Sequence, residues 1–431
     1  MRPRLPYGNR MKAIRPKSRL NTTVRIPGSK SITHRAIIAA GLANGESLLK
    51  DFLECEDTLY TASALQELGA NLSYVEKSVR VIGTGGKFCP ALNRKRLYLG
   101  NSGTSFRLLL SVLALGRGEF LLTGTKRMLK RPIGPLVKAL KQLGVDVSCV
   151  ENNDCPPVFI KAHGIRGGTV TIPGDKSSQF VSSLLLSAPY AENDIEIRLS
   201  GELVSRPYVD VSIDVMKLFG VKVYREGYRY FRISSGQAYQ PGELTIQGDV
   251  SSASYFWAAA AVTGGTVATE NIHPYATRQG DIRFLETLER LGCFIEKKSD
   301  LVVIHGRTLS GIDVEMSNMP DMVPTLAAIA LFARGKTTIR NVSHLRYKES
   351  DRLRALALEL NRLGGRVEET ADGLIIHGSR PLSGTLVDPH DDHRLAMSLA
   401  VVGLRVPGIR IREEGCVNKS FSRFWELWDK F

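Results

Sequence analysis

Six times along the chain a short apolar strand runs into a Gly, Ser, Asn or Asp turn, and an apolar helix follows. The openings are TVRIPGSKS at Thr23, RLYLGNSGTS at Arg96, TVTIPGDKSS at Thr169, ELTIQGDVSS at Glu243, VEMSNMPD at Val314 and TLVDPHDD at Thr385. Their turn residues Ser29, Ser102, Asp175, Asp249, Asn318 and Asp391 recur at intervals of roughly 70–75 residues. This is too long for a solenoid element and suits a small supersecondary block. Each helix start offers unpaired N–H groups and the positive end of a dipole, so the repeated turn is a natural anion site.

Inside each of the first five repeats an amphipathic helix ends in a Leu–Gly or Phe–Gly pair: ALQELG, ALKQLG, VMKLFG, TLERLG and ELNRLG. Apolar residues at i, i+3 and i+4 predict the helix, and Gly69, Gly144, Gly220, Gly292 and Gly364 predict left-handed C′ caps. Strands follow, so each unit reads strand–helix–strand–helix–strand. The sixth lacks this second half and ends in FWELWDKF, a short closing helix. Six blocks divide into two domains of three. Residues 27–247 form one. Residues 248–431 form the other, completed by the N-terminal strand within 1–26.

At 431 residues the chain is too long for one ordinary core. The balance of 58 basic and 43 acidic residues, net +15, points to an acidic partner or to a merely basic surface. No apolar run reaches the roughly 18–20 residues that span a bilayer. The six cysteines form no CxxC pair and read as reduced thiols of a cytoplasmic protein. MRPRLPYGNR lacks the apolar stretch of a secretory signal and reads as a disordered extension before Met11. A nucleic-acid-binding repeat protein would need aromatic platforms, whereas aromatics are few, at 7%, and the cations cluster at repeat openings.

The openings differ in chemistry. Repeat one places Lys30, Ser31 and Arg35 at its helix start, which reads as a phosphate or carboxylate site or as a serine cap with solvated cations. Repeat two supplies Asn101, Ser102, Gly103 and Arg107, then Arg127 and Arg131 in a Pro-stiffened loop. Repeat three offers the neutral donors Ser177, Ser178 and Gln179, and LVSRPYVD follows. Repeat four has no cation at its helix start and reads as scaffold. Asp321 opens the repeat-five helix, and Lys348, Glu349 and Arg352 read as one helical turn. Such a turn is a surface ion-pair pattern or an anion held beside an acid–base group. In repeat six the pattern His390, Asp391, Asp392, His393 has no further His or Cys cluster behind it. A metal is therefore not expected, and His393 and Arg394 read as ligand contacts.

In this order, PGSKS…R, LGNSGT…R, the RPI loop, SSQF, SRPY, GDVSSASYF, GDIRF, a Pro-Asp in repeat five, KESDR, DDHR and NKSF resemble the 5-enolpyruvylshikimate-3-phosphate synthase family, from about Val24 to the end. The resemblance implies an α/β fold of two similar domains, each of three βαβαββ units in an inside-out α/β barrel, with the active site in the interdomain cleft. It implies a monomer with no cofactor, acting on small molecules and not on nucleic acid or membrane. The implied reaction joins phosphoenolpyruvate and shikimate-3-phosphate. Lys30, Ser31, Arg35, Ser177, Ser178, Gln179, Ser205, Tyr208, Asp321, His344 and Lys348 would hold shikimate-3-phosphate. Lys30, Asn101, Gly103, Arg127, Gln179, Lys348, Arg352, His393, Arg394 and Lys419 would hold phosphoenolpyruvate. Asp321, Glu349 and Lys30 would be catalytic. His344 departs from the asparagine often found there, and Phe106 and Lys176 have no reading. Gly103 matches the glyphosate-sensitive members, which implies inhibition competitive with phosphoenolpyruvate. The sister family acting on UDP-N-acetylglucosamine carries a Cys in the loop before its Arg-Pro and an Asn after the first Lys. Ser31 and a Cys-free loop before Arg131 disfavour it.

Overall fold

The computed structural model describes residues 11–88 and 91–430, without the side chains of 91–93. The expectation of a disordered extension falls on residues 1–10, outside the described residues, as does Cys89. Cys55, Cys149, Cys155, Cys293 and Cys416 are free thiols.

The chain divides into two compact units, Gly28–Gln247 and Met1–Pro27 with Gly248–Phe431. Five repeats have six elements in the order βαβαββ, one strand more than the strand–helix–strand–helix–strand reading. In repeat three these are Gly168–Pro173, Ser178–Ser187, Ile195–Ser200, Pro207–Leu218, Tyr224–Glu226 and Tyr230–Ile233. The reading closes each unit on one strand where the structure has two, such as Tyr224–Glu226 and Tyr230–Ile233. The opening strand runs parallel to this second strand, which the helical crossover allows, and the last two strands form an antiparallel hairpin. The Gly caps at 69, 144, 220, 292 and 364 all have positive φ, which is where a glycine ends a helix without strain.

In two repeats the opening strand is exchanged. Asn21–Arg25 pairs in parallel with Thr266–Glu270 of repeat four. Glu243–Thr245 pairs in parallel with Glu46–Lys50 of repeat one. The chain thus passes between units at Pro27 and again at Gln247.

Each unit has its own apolar core. Past their first turns the helices after the opening turns are largely apolar or small all round, and such helices must be buried. Every residue of Val250–Thr263 is buried, as is every residue of Gly103–Ala114 except Thr104. In one unit Val250–Thr263, Val323–Ala330 and His393–Gly403 pack on one another. Their starts then lie together, and that grouping builds the cluster described next. The closing helix Phe424–Trp428 stacks Phe424 on Tyr255 and Phe256. Lys419 ends the six-residue 3-10 turn Glu414–Lys419, which packs on His393–Gly403.

Candidate active site

Arg352 is buried, and three carboxylates surround its guanidinium. Its Nη1 donates to Asp321 Oδ1 at 2.9 Å, its Nη2 to Glu349 Oε2 at 2.9 Å, and its Nε to Asp392 Oδ2 at 2.8 Å. Burial alone would pull this guanidinium down. The carboxylates of Asp392, Glu349 and Asp321 outweigh it and hold the pKa above its ordinary value. Arg394 Nη2 donates to the other oxygen of Asp321 at 2.7 Å, and Lys419 Nζ lies 3.7 Å from Glu349 Oε1. Three cations thus face three carboxylates. A buried pair missing one partner costs about 3–5 kcal/mol, so the members hold one another in place.

The sequence reading of Lys348, Glu349 and Arg352 as one helical turn needs correction. The helix is Arg352–Arg362, capped by Asp351, which accepts from the Arg354 N–H at 3.2 Å. Lys348 and Glu349 precede it in an irregular stretch after Ser343–Tyr347. Freed from helical geometry, Glu349 faces Arg352 and Lys419. This is a buried network and not a surface ion pair.

Asp392 does two jobs. It caps His393–Gly403 by accepting from the Arg394 N–H at 3.0 Å, and it also accepts from Ser350 Oγ at 3.1 Å. His390 turns elsewhere: its Nε2 is 3.3 Å from Glu359 Oε1, and Glu359 raises its pKa. His390 and Asp391 both have positive φ, a strained pair that swings Asp392 inward. Among the described residues no group of three or more His, Cys, Asp or Glu is arranged to hold a metal ion. His393 is buried, with Nδ1 3.8 Å from Asp392 Oδ1. His344 is buried too. Desolvation, then Lys348, drives its pKa down to about 3, so it is neutral at physiological pH.

Repeat four is not mere scaffold, which corrects the sequence reading. Its Tyr255 hydroxyl accepts from Arg394 Nη1 at 3.4 Å, and its Ser251 hydroxyl accepts from Arg394 Nη2 at 3.5 Å. Burial pushes the Tyr255 phenol up to about 12, so it stays protonated.

The other unit gathers a second set. Lys30 Nζ lies 3.2 Å from Asp57 Oδ2, a buried carboxylate in the first turn of Glu56–Glu67. The serine-cap reading of repeat one fails: Ser29 precedes Lys30–Leu42, yet its buried hydroxyl makes no cap bond and has no partner among the described residues. Arg35 is buried and spends its donors on protein acceptors. These are Ser212 Oγ at 2.6 Å, Ser31 O at 2.8 Å, Tyr208 O at 3.1 Å and Ser182 Oγ at 3.3 Å. With no carboxylate beside it, burial draws it down to about 10. Arg35 thereby ties the start of its own helix, at Ser31, to Tyr208.

Arg107 lies outside the set that the resemblance implies, yet it holds Gln179 Oε1 at 2.8 Å and Ser177 Oγ at 3.3 Å. Gln179 Nε2 in turn donates to Thr104 Oγ1 at 2.9 Å. Ser178 is buried at the same helix start, and Ser205 is held at a positive φ. Arg131, also outside that set, donates to Asn101 O at 2.9 Å and covers Gly103, where an added Cβ would come within 2.4 Å of Arg131 Nη2. Arg127 is half-buried just before the turn Met128–Lys130. Phe106 belongs to the apolar core, and Lys176 pairs with Asp175 on the surface.

Among the described residues no helix is long and apolar enough to cross a membrane. The family model described as EPSP synthase (3-phosphoshikimate 1-carboxyvinyltransferase) matches residues 14–428. A 3-phosphoshikimate 1-carboxyvinyltransferase of Methanoculleus marisnigri is 48% identical over 402 residues, covering 93% of this chain and 94% of that one. One from Vibrio atlanticus is 42% identical over 416 residues, with 96% and 97% covered. A solved EPSP synthase from Acinetobacter baumannii superposes with a TM-score of 0.80 at 30% identity, over 97% of this chain and 98% of that one. With three carboxylates gathered on the buried Arg352 and agreement along nearly its whole length, the chain belongs to the EPSP synthase family.

Proposed function

We propose that the chain transfers the enolpyruvyl group of phosphoenolpyruvate to the 5-hydroxyl of shikimate-3-phosphate and releases phosphate. The observation that carries the chemical side of this reading is that one buried guanidinium, Arg352, holds both Asp321 and Glu349. Enolpyruvyl transfer needs two proton transfers at different atoms, and two separately oriented carboxylates supply them.

Asp321 takes the 5-hydroxyl proton as that oxygen bonds to C2 of phosphoenolpyruvate. Glu349 or Lys30 delivers a proton to the methylene carbon, and a tetrahedral ketal phosphate results. Loss of a proton from the new methyl group and departure of phosphate restore the double bond. The substrates bring two phosphates and two carboxylates, so Lys30, Lys348, Arg352, Arg394 and Lys419 supply the positive charge. Water exclusion strengthens each of these attractions.

Shikimate-3-phosphate is held by Lys30, Ser31, Ser177, Ser178, Gln179, Ser205 and Tyr208, with Asp321, His344 and Lys348. Arg35 belongs to the same set, and it also fixes Ser31 and Tyr208. Phosphoenolpyruvate is held by Lys30, Asn101, Gly103, Gln179, His393 and the cations named above, and Arg131 joins Arg127 on it. The uncapped helix start at Lys30 supports the reading, since its N–H groups are not closed by Ser29. The five free thiols among the described residues suit a reducing cytoplasm.

Phosphate release tests the reading. With phosphoenolpyruvate and shikimate-3-phosphate together the expected result is steady turnover, and with either alone none. Turnover with UDP-N-acetylglucosamine as acceptor instead would overturn it.

A further inference from the structure

Asp281 has no part in the chemistry above, yet its carboxyl is buried beside it. It lies in the 3-10 turn Gly280–Arg283 and is 3% exposed. Oδ2 accepts a hydrogen bond from the Ser251 hydroxyl. Oδ1 has no partner among the described residues. Ser251 Oγ also accepts from Arg394 Nη2 at 3.5 Å, and the same Nη2 donates to Asp321 Oδ2 at 2.7 Å. A continuous path therefore runs from Asp281 through Ser251 and Arg394 to Asp321. The charged groups facing Asp281 are Asp321, Arg394 and Asp249, the cap of the helix that carries Ser251.

We propose that Asp281 is a positioning residue for the transfer: through Ser251 it holds Arg394 against Asp321, and it does so as the neutral acid. This inference rests on the enolpyruvyl-transfer reading. Arg394, the cation that faces Asp281, is already paired with Asp321. An ionised Asp281 would also leave Oδ1 bare and charged away from water, which is costly. Burial first, then the charge of Asp321, pushes the group up to about 7, against the pull of Arg394. Below that pH the cluster is balanced. Above it, a fourth negative charge competes for Arg394 and opposes an anionic substrate.

The test is the pH dependence of KM for phosphoenolpyruvate and of kcat, with shikimate-3-phosphate saturating, in wild type, Asp281→Asn and Asp281→Ala. Comparing variant with wild type at each pH cancels the ionisation of the substrates. The ratio of KM in Asp281→Asn to KM in wild type is expected to fall by about fivefold or more as pH rises through about 7, while the kcat ratio stays level. Asp281→Ala removes the oxygen that Ser251 bonds and is expected to raise KM about tenfold across the range, with Asn rescuing it. A ratio independent of pH, or Asn as damaging as Ala, overturns the proposal. If neither variant folds, Ser251→Ala decides: KM raised with kcat held supports it, and an unchanged KM overturns it. Wild type that turns over while the ratio stays flat counts against Asp281 alone. Wild type that releases no phosphate counts against the functional reading.

Discussion

A methyl group at Gly103 has no place while Arg131 stays where it is, because the added carbon would lie 2.4 Å from a guanidinium nitrogen. The guanidinium is the far end of a flexible side chain, so the expected response to Gly103→Ala is displacement of Arg131 and not unfolding. Steady-state kinetics should show KM for phosphoenolpyruvate raised about tenfold, with a smaller fall in kcat. An unchanged KM would place Arg131 outside the binding set. The glycine was legible in the LGNSGT motif, but its partner was not. Four cations lie between Lys126 and Arg131, and spacing alone does not say which one turns inward. Pro132 held the missing signal. A residue before proline is kept extended, and Arg131 has φ −92° and ψ 128°, leaving the 3-10 turn that precedes it. Asp57 gave no signal at all. An acid in a first helical turn is ordinary, and only its burial against Lys30 sets it apart.

At the scale of the element, the six openings share a turn but close it differently. Ser102, Ser177, Asp249 and Asp392 cap their helices through the side chain, and Ser29 does not. Sequence reading treats these residues alike, because an uncapped serine and a capping one have the same letter. Asp392 both caps a helix and balances Arg352, and two substitutions separate these tasks. Asparagine caps as well as aspartate but carries no charge. Urea denaturation should show Asp392→Ala less stable than Asp392→Asn by about 1 kcal/mol, the usual worth of a cap. Turnover should fall in both, since each removes a carboxylate from Arg352. Equal stability of the two variants would show that the cap contributes nothing there. The strained turn at His390 and Asp391 has a visible anchor, because buried Glu359 accepts from the Asp388 N–H at 3.0 Å and meets His390. Glu359 is read from sequence only as a polar residue of an amphipathic helix, so its inward aim was not foreseeable.

For the whole molecule, periodicity was the informative signal. Six turns at a common spacing gave the number of blocks, and the Gly caps gave the ends of their second helices. The exchange of opening strands was only half visible. A helix-less strand before Pro27 suggests that it serves another sheet, but Glu243–Thr245 looks like every other opening and nonetheless pairs with Glu46–Lys50. Strand pairing between distant segments is a choice of partner, and local sequence does not encode it. The site was legible to the extent that charge and motif order reveal it. The buried supports around it, Asp57, Arg107, Asp281 and Asp392, are set by packing that only the folded chain defines. The central claim is an addition and elimination in which a proton is placed on the methylene carbon and later removed, with Glu349 on that path. The most direct test is to run the reaction in D2O and examine the enolpyruvyl methylene of the product by mass and NMR. Wild type is predicted to incorporate deuterium there, and Glu349→Ala to lose turnover far more than it loses shikimate-3-phosphate binding. Product formed at full rate with no deuterium in the methylene, or near-normal turnover in Glu349→Ala, would contradict the account.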